Sequence, residues 1–505
     1  MQNQLKMGAV LSYVNIIVTM IVGLAYTPVM LRLLGQAEFG LYSLIGAMMA
    51  YLSVLDMGLA NTIVRYVAKN RADGNKETEA ELNGLFLFIY SIIGFITVVI
   101  GIILYLNVDN MFGATLDAEQ LGKAKIMMIL LTFNFAFTFP LSVFASLMQA
   151  YEKFIFLRIV NILRVALNPL LALPLLFMGF GSVTLVIVTT ILNLSCLLSN
   201  VFYCFKYLDI HFKRGKFEKE FLYEVAGYSF FIFLNAIMDK VYWGSGQFIL
   251  GIVSGTVQVA IYAVAMQFMN MYMQFSVAIS GVILPKITMM VAKGTTPREL
   301  TDLMIKIGRL QFIVVSYIIV MFFLVGKEFL YLWAGEEYLS AYPIILLLMA
   351  SLFIPLIQNA GIAILQAMNL NRYRMTAYTI AAFASIVLGF ILAKYYGGIG
   401  CAISTSLALF ISTGFIMNRY YEKKIGLDML RFWKNIIKMI PSALVLIAIV
   451  NMVKIGFLWQ YSWSNFILEV LSYSFIYLLM IYIIAMNIYE KGLCKNMIYK
   501  LTKKF

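Results

Sequence analysis

The stretch "FLRIVNILRVALNPLLALPLLF", residues 156–177, is long and apolar enough to cross a bilayer, yet it carries Arg164 well inside it. At a rise of about 1.5 Å per residue, Arg164 lies about 12 Å deep in a hydrocarbon core about 30 Å thick. A guanidinium at that depth costs at least about 2.5–3.5 kcal/mol even on the forgiving insertion scale. Lipid does not supply that compensation, so the reading of this segment turns on what the rest of the chain is.

Composition answers the first part. The chain has 505 residues, 62% of them hydrophobic and 12% charged, with a mean hydropathy of +0.90. A soluble domain carries about a quarter of its residues as charges. This is therefore an all-α, polytopic membrane protein, because hydrocarbon leaves helices as the way to satisfy the backbone of such segments. The opening residues show no small-residue cleavage box, so the first span is expected to direct insertion itself. The net charge of +14 would point to nucleic acid in a soluble protein, but here the basic residues lie mostly in loops and speak of topology. The four cysteines (Cys196, Cys204, Cys401 and Cys494) have no metal or redox spacing, and His211 is the only histidine, so no metal site or cofactor is expected.

Hydropathy predicts about fourteen spans. Six lie near residues 8–32, 40–66, 84–107, 122–149, 156–178 and 182–207. Six more lie near 219–245, 257–284, 302–325, 339–368, 375–395 and 399–419, and two near 435–454 and 465–489. The loops after spans 2, 4, 6, 8, 10 and 12 hold the Lys and Arg, from "RYVAKNRADGNK" to "NRYYEKKIGLDMLRFWK", whereas outer loops such as "GKEFLYLWAGEEY" are acidic or poor in them. The positive-inside rule then places the basic loops, and both termini, in the cytoplasm.

"LLGQAEFGLYSLI" (33–45) resembles "IVSGTVQVAIYAVA" (252–265), six spans later and in the same orientation. This predicts a parallel repeat about an axis along the membrane normal. The expected organisation is an N-terminal lobe at 1–210 (spans 1–6), a second six-helix lobe at 211–430, and two added spans with a basic tail at 431–505.

Polar stripes mark candidate site residues. Arg158, Asn161, Arg164 and Asn168 are spaced 3, 3 and 4, within an arc of about 120° on one helix. Such a stripe has to face protein or water. Asn134 and Thr138 repeat the pattern in span 4, and Asn235 and Asp239 in span 7, with Lys240 adjacent. Packing offers a second account of the amides, since interhelical hydrogen bonds in membranes contribute about 0.6 kcal/mol each. Arg65, Arg158 and Lys286 sit near span ends and have the option of snorkelling to the headgroups. The deep cations suggest an anion, because the guanidinium fork matches phosphate. The expected substrate-binding set is Arg164, Arg158, Asn161, Asn168, Arg65, Lys240, Lys286 and Asn134. Asp56, Asp239 and Asn235 are candidates for coupling to H+ or Na+, with simple neutralisation of a basic neighbour as the other account of the acids. The prolines inside spans, Pro28, Pro140, Pro169, Pro174 and Pro355, are expected to bend their helices.

"LRLLGQAEFGLYSLI", with Leu34, Gly35, Phe39, Gly40, Leu41 and Tyr42, resembles the first-loop signature of bacterial polysaccharide flippases, the O-antigen and capsule repeat-unit transporters of the multidrug/oligosaccharidyl-lipid/polysaccharide (MOP) superfamily. "MQAYEKF", "LQAMNLNRYR" and "YYGGIGCAISTSLA" extend the likeness along nearly the whole chain. The resemblance implies flipping of undecaprenyl-pyrophosphate-linked oligosaccharide across the bacterial cytoplasmic membrane by alternating access of two lobes, coupled to an ion gradient. It implies membrane lipids, a polysaccharide polymerase and a chain-length regulator as partners, and no nucleic acid. The family has no fixed cavity motif, so the residues above come from depth and periodicity rather than from the family. A peptidoglycan-precursor flippase and a multidrug exporter share this architecture. The exporter suits an acidic cavity, which the deep Arg164 and Lys240 oppose. A membrane polymerase needs a sizeable catalytic outer loop, and the outer loops here are short, so an enzyme is not expected.

Overall fold

The computed structural model describes residues 2–215, 219–281, 284–368, 370–454, 461–492 and 495. Every regular element among them is helical. Packing divides the chain into two compact units, Met1–Ala263 and Val264–Phe505. The expected division at 210 and 430 follows span number, whereas the packing division falls inside a helix, Thr256–Gly281.

The first unit is built from α1 (Gln2–Ala50), α2 (Leu59–Ala72), α3 (Lys76–Phe112), α4 (Ala118–Ala150), α5 (Phe154–Phe177), α6 (Ser182–Tyr207), α7 (Lys219–Val253) and the start of α8 (Thr256–Gly281). Its tightest pairings are α3 with α4, α4 with α6, and α1 with α5. The second unit continues with α9 (Leu284–Ala292), α10 (Pro297–Trp333), α11 (Ala341–Ile357), α12 (Asn359–Ala367) and α13 (Asn371–Leu409). Beyond a π-helical stretch come α14 (Asn418–Tyr420), α15 (Met429–Ile437), α16 (Ile440–Lys454) and α17 (Trp463–Met480). The last two spans are not an appendage. Leu446, Val450, Tyr473 and Tyr477 share one core with Met304, Phe312 and Ile364.

Among the described residues nine helices are long and apolar enough to cross a membrane, and the bent pair α11/α12 supplies a tenth. Two of the nine, at residues 10–72 and 372–425, are 63 and 54 residues long. At about 1.5 Å per residue each is far longer than one crossing. Each carries a non-helical glycine, Gly35 (φ 72, ψ 171) and Gly397 (φ 54, ψ −133), at the expected loop. Counting each as two passes, with α7 and α8 added, recovers the fourteen-helix architecture.

Two expectations about continuity are corrected. Span 2, read as unbroken over 40–66, leaves the α-helical path between Ala50 and Leu59, where Met57 (φ 52) and Gly58 (φ 68) are left-handed. Span 10 breaks at Gln358 with a bend of 46°. There Pro355 removes one donor from the helical ladder. The other expected proline bends leave α1, α4 and α5 as continuous helices around Pro28, Pro140, Pro169 and Pro174, so glycine torsions mark the larger discontinuities.

The signature stretch also finds its structural meaning here. Gly40 sits so close to α8 that a Cβ would lie 1.9 Å from the Thr256 carbonyl oxygen. Glu38 accepts from the Ser182 backbone N–H and hydroxyl at the start of α6 and pairs with Lys123 of α4. A short loop thereby ties together α1, α4, α6 and α8.

Candidate functional site

On α5 the two faces separate as the periodicity requires. Ile159, Leu163, Leu167 and Leu170 are exposed and form the apolar side. The opposite stripe turns toward α1 and α6. Arg164 donates through Nη1 to Asn193 Oδ1 and through Nη2 to Asn161 Oδ1, both at 2.8 Å. Each amide passes the polarisation on. Asn161 Nδ2 donates to Asn15 Oδ1 of α1 at 3.1 Å. Asn193 Nδ2 donates to Asn134 Oδ1 at 2.7 Å and to Thr138 Oγ1 at 2.8 Å, both on α4. Asn134 Nδ2 in turn reaches Thr190 Oγ1 at 3.4 Å.

These bonds hold the guanidinium in one orientation by neutral dipoles. Among the described residues no carboxylate lies within ion-pair distance of Arg164 or Arg158. Both arginines line a cavity of about 250 Å³ within the first unit, together with Asn161, Asn193, Asn200 and Gln149. A drug-sized ligand needs about 300–1,000 Å³. This chamber falls just below that range.

The structure gathers part of the expected set. Arg158, Asn161 and Arg164 line the cavity, and Asn134 stands behind Asn193 as its acceptor. Asn168 is further along the stripe and donates to Thr189 Oγ1 at 3.2 Å. Arg65, Lys240 and Lys286 are exposed and lie outside this lining; Arg65 sits 5.7 Å from the Tyr66 ring. Asp56 accepts from the Tyr90 hydroxyl at 2.6 Å and from the backbone N–H groups of Gly58 and Ala60, so it caps α2 after the helix break. The side chains of Asp239 and Asn235 lie outside the described residues.

Asn193 and Asn15 are the members that sequence reading passed over. A signal existed for the former, since Thr190, Asn193, Leu197 and Asn200 recur at helical spacing on α6 with three polar members. Arg309 was also passed over, and it has the opposite surroundings. Its Nε donates to Glu490 Oε1 at 2.6 Å and its Nη2 to Oε2 at 2.8 Å. Carbonyls of Ala485 and Asn435 take its other donors, and the two side chains are only 7% and 3% exposed. Two further acids inside the second unit, Glu328 and Glu469, are buried, and the Tyr473 hydroxyl bonds Glu469.

The family model described as "Polysaccharide biosynthesis protein" matches residues 5–291. A Shigella flexneri protein assigned as an O-antigen transporter is 20% identical over 392 residues, covering 75% of this chain and 89% of its own length. The inward closed conformation of the lipid II flippase MurJ superposes with a TM-score of 0.72 at 15% identity, covering 94% of this chain and 97% of MurJ. An inward-facing multidrug resistance MATE transporter of the MOP superfamily gives 0.65 at 14% identity, covering 81% and 99%.

Proposed function

Because the chain belongs to the polysaccharide biosynthesis protein family and shares its fold with MOP-superfamily transporters, we propose that it flips an undecaprenyl-pyrophosphate-linked oligosaccharide across the bacterial cytoplasmic membrane. The observation that supports this reading is Arg164: a cation inside an apolar helix, aimed by amides, facing a cavity with Arg158 and lacking a carboxylate partner among the described residues. Such a site solvates a phosphate through charge-assisted hydrogen bonds, which are about twice as strong as neutral ones. In this reading the cavity takes the anionic head, which its volume accommodates, and the saccharide occupies a larger space. Both termini face the cytoplasm in this reading, and transport proceeds by alternating access with H+ or Na+ coupling. Asp239, with Asn235 beside it on α7, is the better coupling candidate, because three donors already engage the Asp56 carboxylate. A polysaccharide polymerase and a chain-length regulator are the expected functional partners.

The test is Arg164→Ala in a strain whose surface polysaccharide depends on this gene. Polymer is expected to be lost while the protein stays in the membrane, and Arg164→Lys is expected to restore part of it. Normal export by the alanine variant would refute the assignment.

The structural likeness to MurJ favours one second reading, a peptidoglycan-precursor flippase, which needs the same phosphate chemistry. Translocation assays in proteoliposomes with each lipid-linked donor separate the two. A drug exporter is disfavoured because Arg158 and Arg164 repel cationic substrates.

A further inference from the structure

A second cavity of the first unit lies far from Arg164 in the sequence and is unused by the reading above. It measures about 610 Å³ and opens between α3 and the segment 212–215 that leads toward α7. That segment is built onto α3 with care. Lys213 N–H donates to the Ala80 carbonyl at 2.9 Å, and Asn83 Nδ2 donates to the His211 carbonyl at 3.2 Å. The Phe212 ring packs 5.5 Å from Phe144 and 6.0 Å from Phe205. A Cβ on Gly84 would stand 2.1 Å from the Lys213 carbonyl oxygen, so only glycine lets the strand of backbone lie this close.

The lining is divided by polarity. Leu85, Phe88 and Phe212 form an apolar floor, and Lys213 and Arg214 form a cationic rim. Phe88 is 64% exposed and continues along α3 into the exposed Ile92 and Phe95, the face this helix turns to lipid. The site stands where α3 passes from its charged start, Lys76 to Glu81, into an unbroken apolar run, which is the depth of the headgroups. Lys213 is shared with Glu77 at 3.0 Å. Arg214 is exposed and has no ion-pair partner among the described residues; Glu81 packs against Gly215 of the lining, so a ligand phosphate binds on the Arg214 side of the rim.

We infer that this cavity holds the phosphodiester headgroup of an anionic glycerophospholipid, with Arg214 on the phosphate and an acyl chain along Leu85 and Phe88. A cation at the rim and lipid-facing aromatics below it match the two halves of such a lipid, whereas a soluble anion uses only the rim. The inference rests on the cytoplasmic side that the positive-inside rule gives the loop after span 6, part of the proposed reading, so the lipid belongs to the inner leaflet. It does not depend on what the protein transports.

The test uses the full-length protein and native mass spectrometry after exchange into detergent with phosphatidylglycerol or phosphatidylcholine. Phosphatidylglycerol is expected to remain bound to the wild type in preference to phosphatidylcholine. Arg214→Ala is expected to weaken it roughly fivefold, and Arg214→Glu roughly twenty-fivefold, as one and two units of charge at a membrane surface require. Phe88→Ser is expected to weaken it too, which a bare anion site does not demand. Equal retention of both lipids, or unchanged retention by Arg214→Glu, would overturn the inference. So would full displacement by millimolar inorganic phosphate, which would assign the rim to a soluble anion. Because the readout is lipid retention, these outcomes leave the flippase assignment untouched, and a failure of transport by Arg164 variants leaves this site untouched.

Discussion

Exchange of Asn193 for Asp asks what the Arg164 charge is for more sharply than removal of the arginine does. The substitution replaces an NH2 with an oxygen and leaves the shape alone. Oδ1 of residue 193 already accepts from Arg164 Nη1 at 2.8 Å, so the new carboxylate is born in contact with the guanidinium. Locally the cost is small. Asn193 Nδ2 now meets Asn134 Oδ1 at 2.7 Å, and an oxygen there forces Asn134 to turn its amide. The bond that Asn134 thereby surrenders, to Thr190, is the longest of the network at 3.4 Å. Thr138, which accepts from Asn193 Nδ2, has to turn its hydroxyl toward the carboxylate and away from the Asn134 carbonyl, to which it donates at 2.7 Å. Against these two bonds, about 2 kcal/mol net, stands the attraction of a new ion pair, about 4 kcal/mol for charges 4 Å apart at an effective dielectric of about 20. The variant is expected to fold at least as well as the parent. A ligand phosphate on the open edge of Arg164 then feels a carboxylate about 8 Å away, which at the same dielectric repels each unit of charge by about 2 kcal/mol. That is roughly thirtyfold in affinity for a singly charged head and more for a diphosphate. The assay is titration of a short-chain lipid pyrophosphate into purified protein, with a thermal melt on the same sample and export measured in cells. A stable Asn193→Asp protein that binds and exports like the parent would show that the positive charge serves packing alone.

Glu490→Ala leaves Arg309 buried without its carboxylate and is expected to cost about 3–5 kcal/mol, whereas the pair Arg309→Met/Glu490→Leu costs much less; melting temperatures of the detergent-solubilised variants check the ordering. Gly40→Ala pushes a methyl group against the Thr256 carbonyl and is expected to reduce folded protein on fluorescence-detected gel filtration, while Gly46→Ala, with open space around it, serves as the silent control. Asp56→Asn keeps an acceptor for Tyr90 and the helix cap, so gradient-dependent transport in proteoliposomes is expected to persist; Asp239→Asn is expected to blunt it.

The residues differ in how far the sequence disclosed them. The stripe on α5 was legible because a 3.6-residue period in an apolar helix forces Arg158, Asn161 and Arg164 onto one side, and lipid rejects that side. Its acceptors were not, because hydrogen bonds between α5, α6 and α1 join residues up to 146 positions apart, and no local pattern records them. Hydropathy found the spans but passed over the break before Leu59, since Met57 and Gly58 are apolar or neutral and differ from their neighbours in torsion rather than in polarity. The clamp on Arg309 was hidden for the same reason as the α5 acceptors: its carboxylate arrives from 181 residues away.

The two arginines define what the chain does with buried charge. Arg309 meets a carboxylate and two carbonyls, and nothing remains for a ligand to do. Arg164 meets only amide oxygens, which aim the guanidinium and spread its polarisation toward α1 and α4 without cancelling it. A bare cation at that depth persists only beside a polar medium, and the cavity of about 250 Å³ supplies the room. At about 30 Å³ per molecule it has space for roughly eight waters, enough to solvate two guanidinium edges. Under the proposed function, an anion that enters is expected to exchange that water for Arg158 and Arg164 and to compete with Asn161 for Arg164 Nη2. In the same proposal, release of Asn161 loosens its bond to Asn15, so occupancy of the cavity is expected to reach α1, the helix that leads into the loop tying α4, α6 and α8 together.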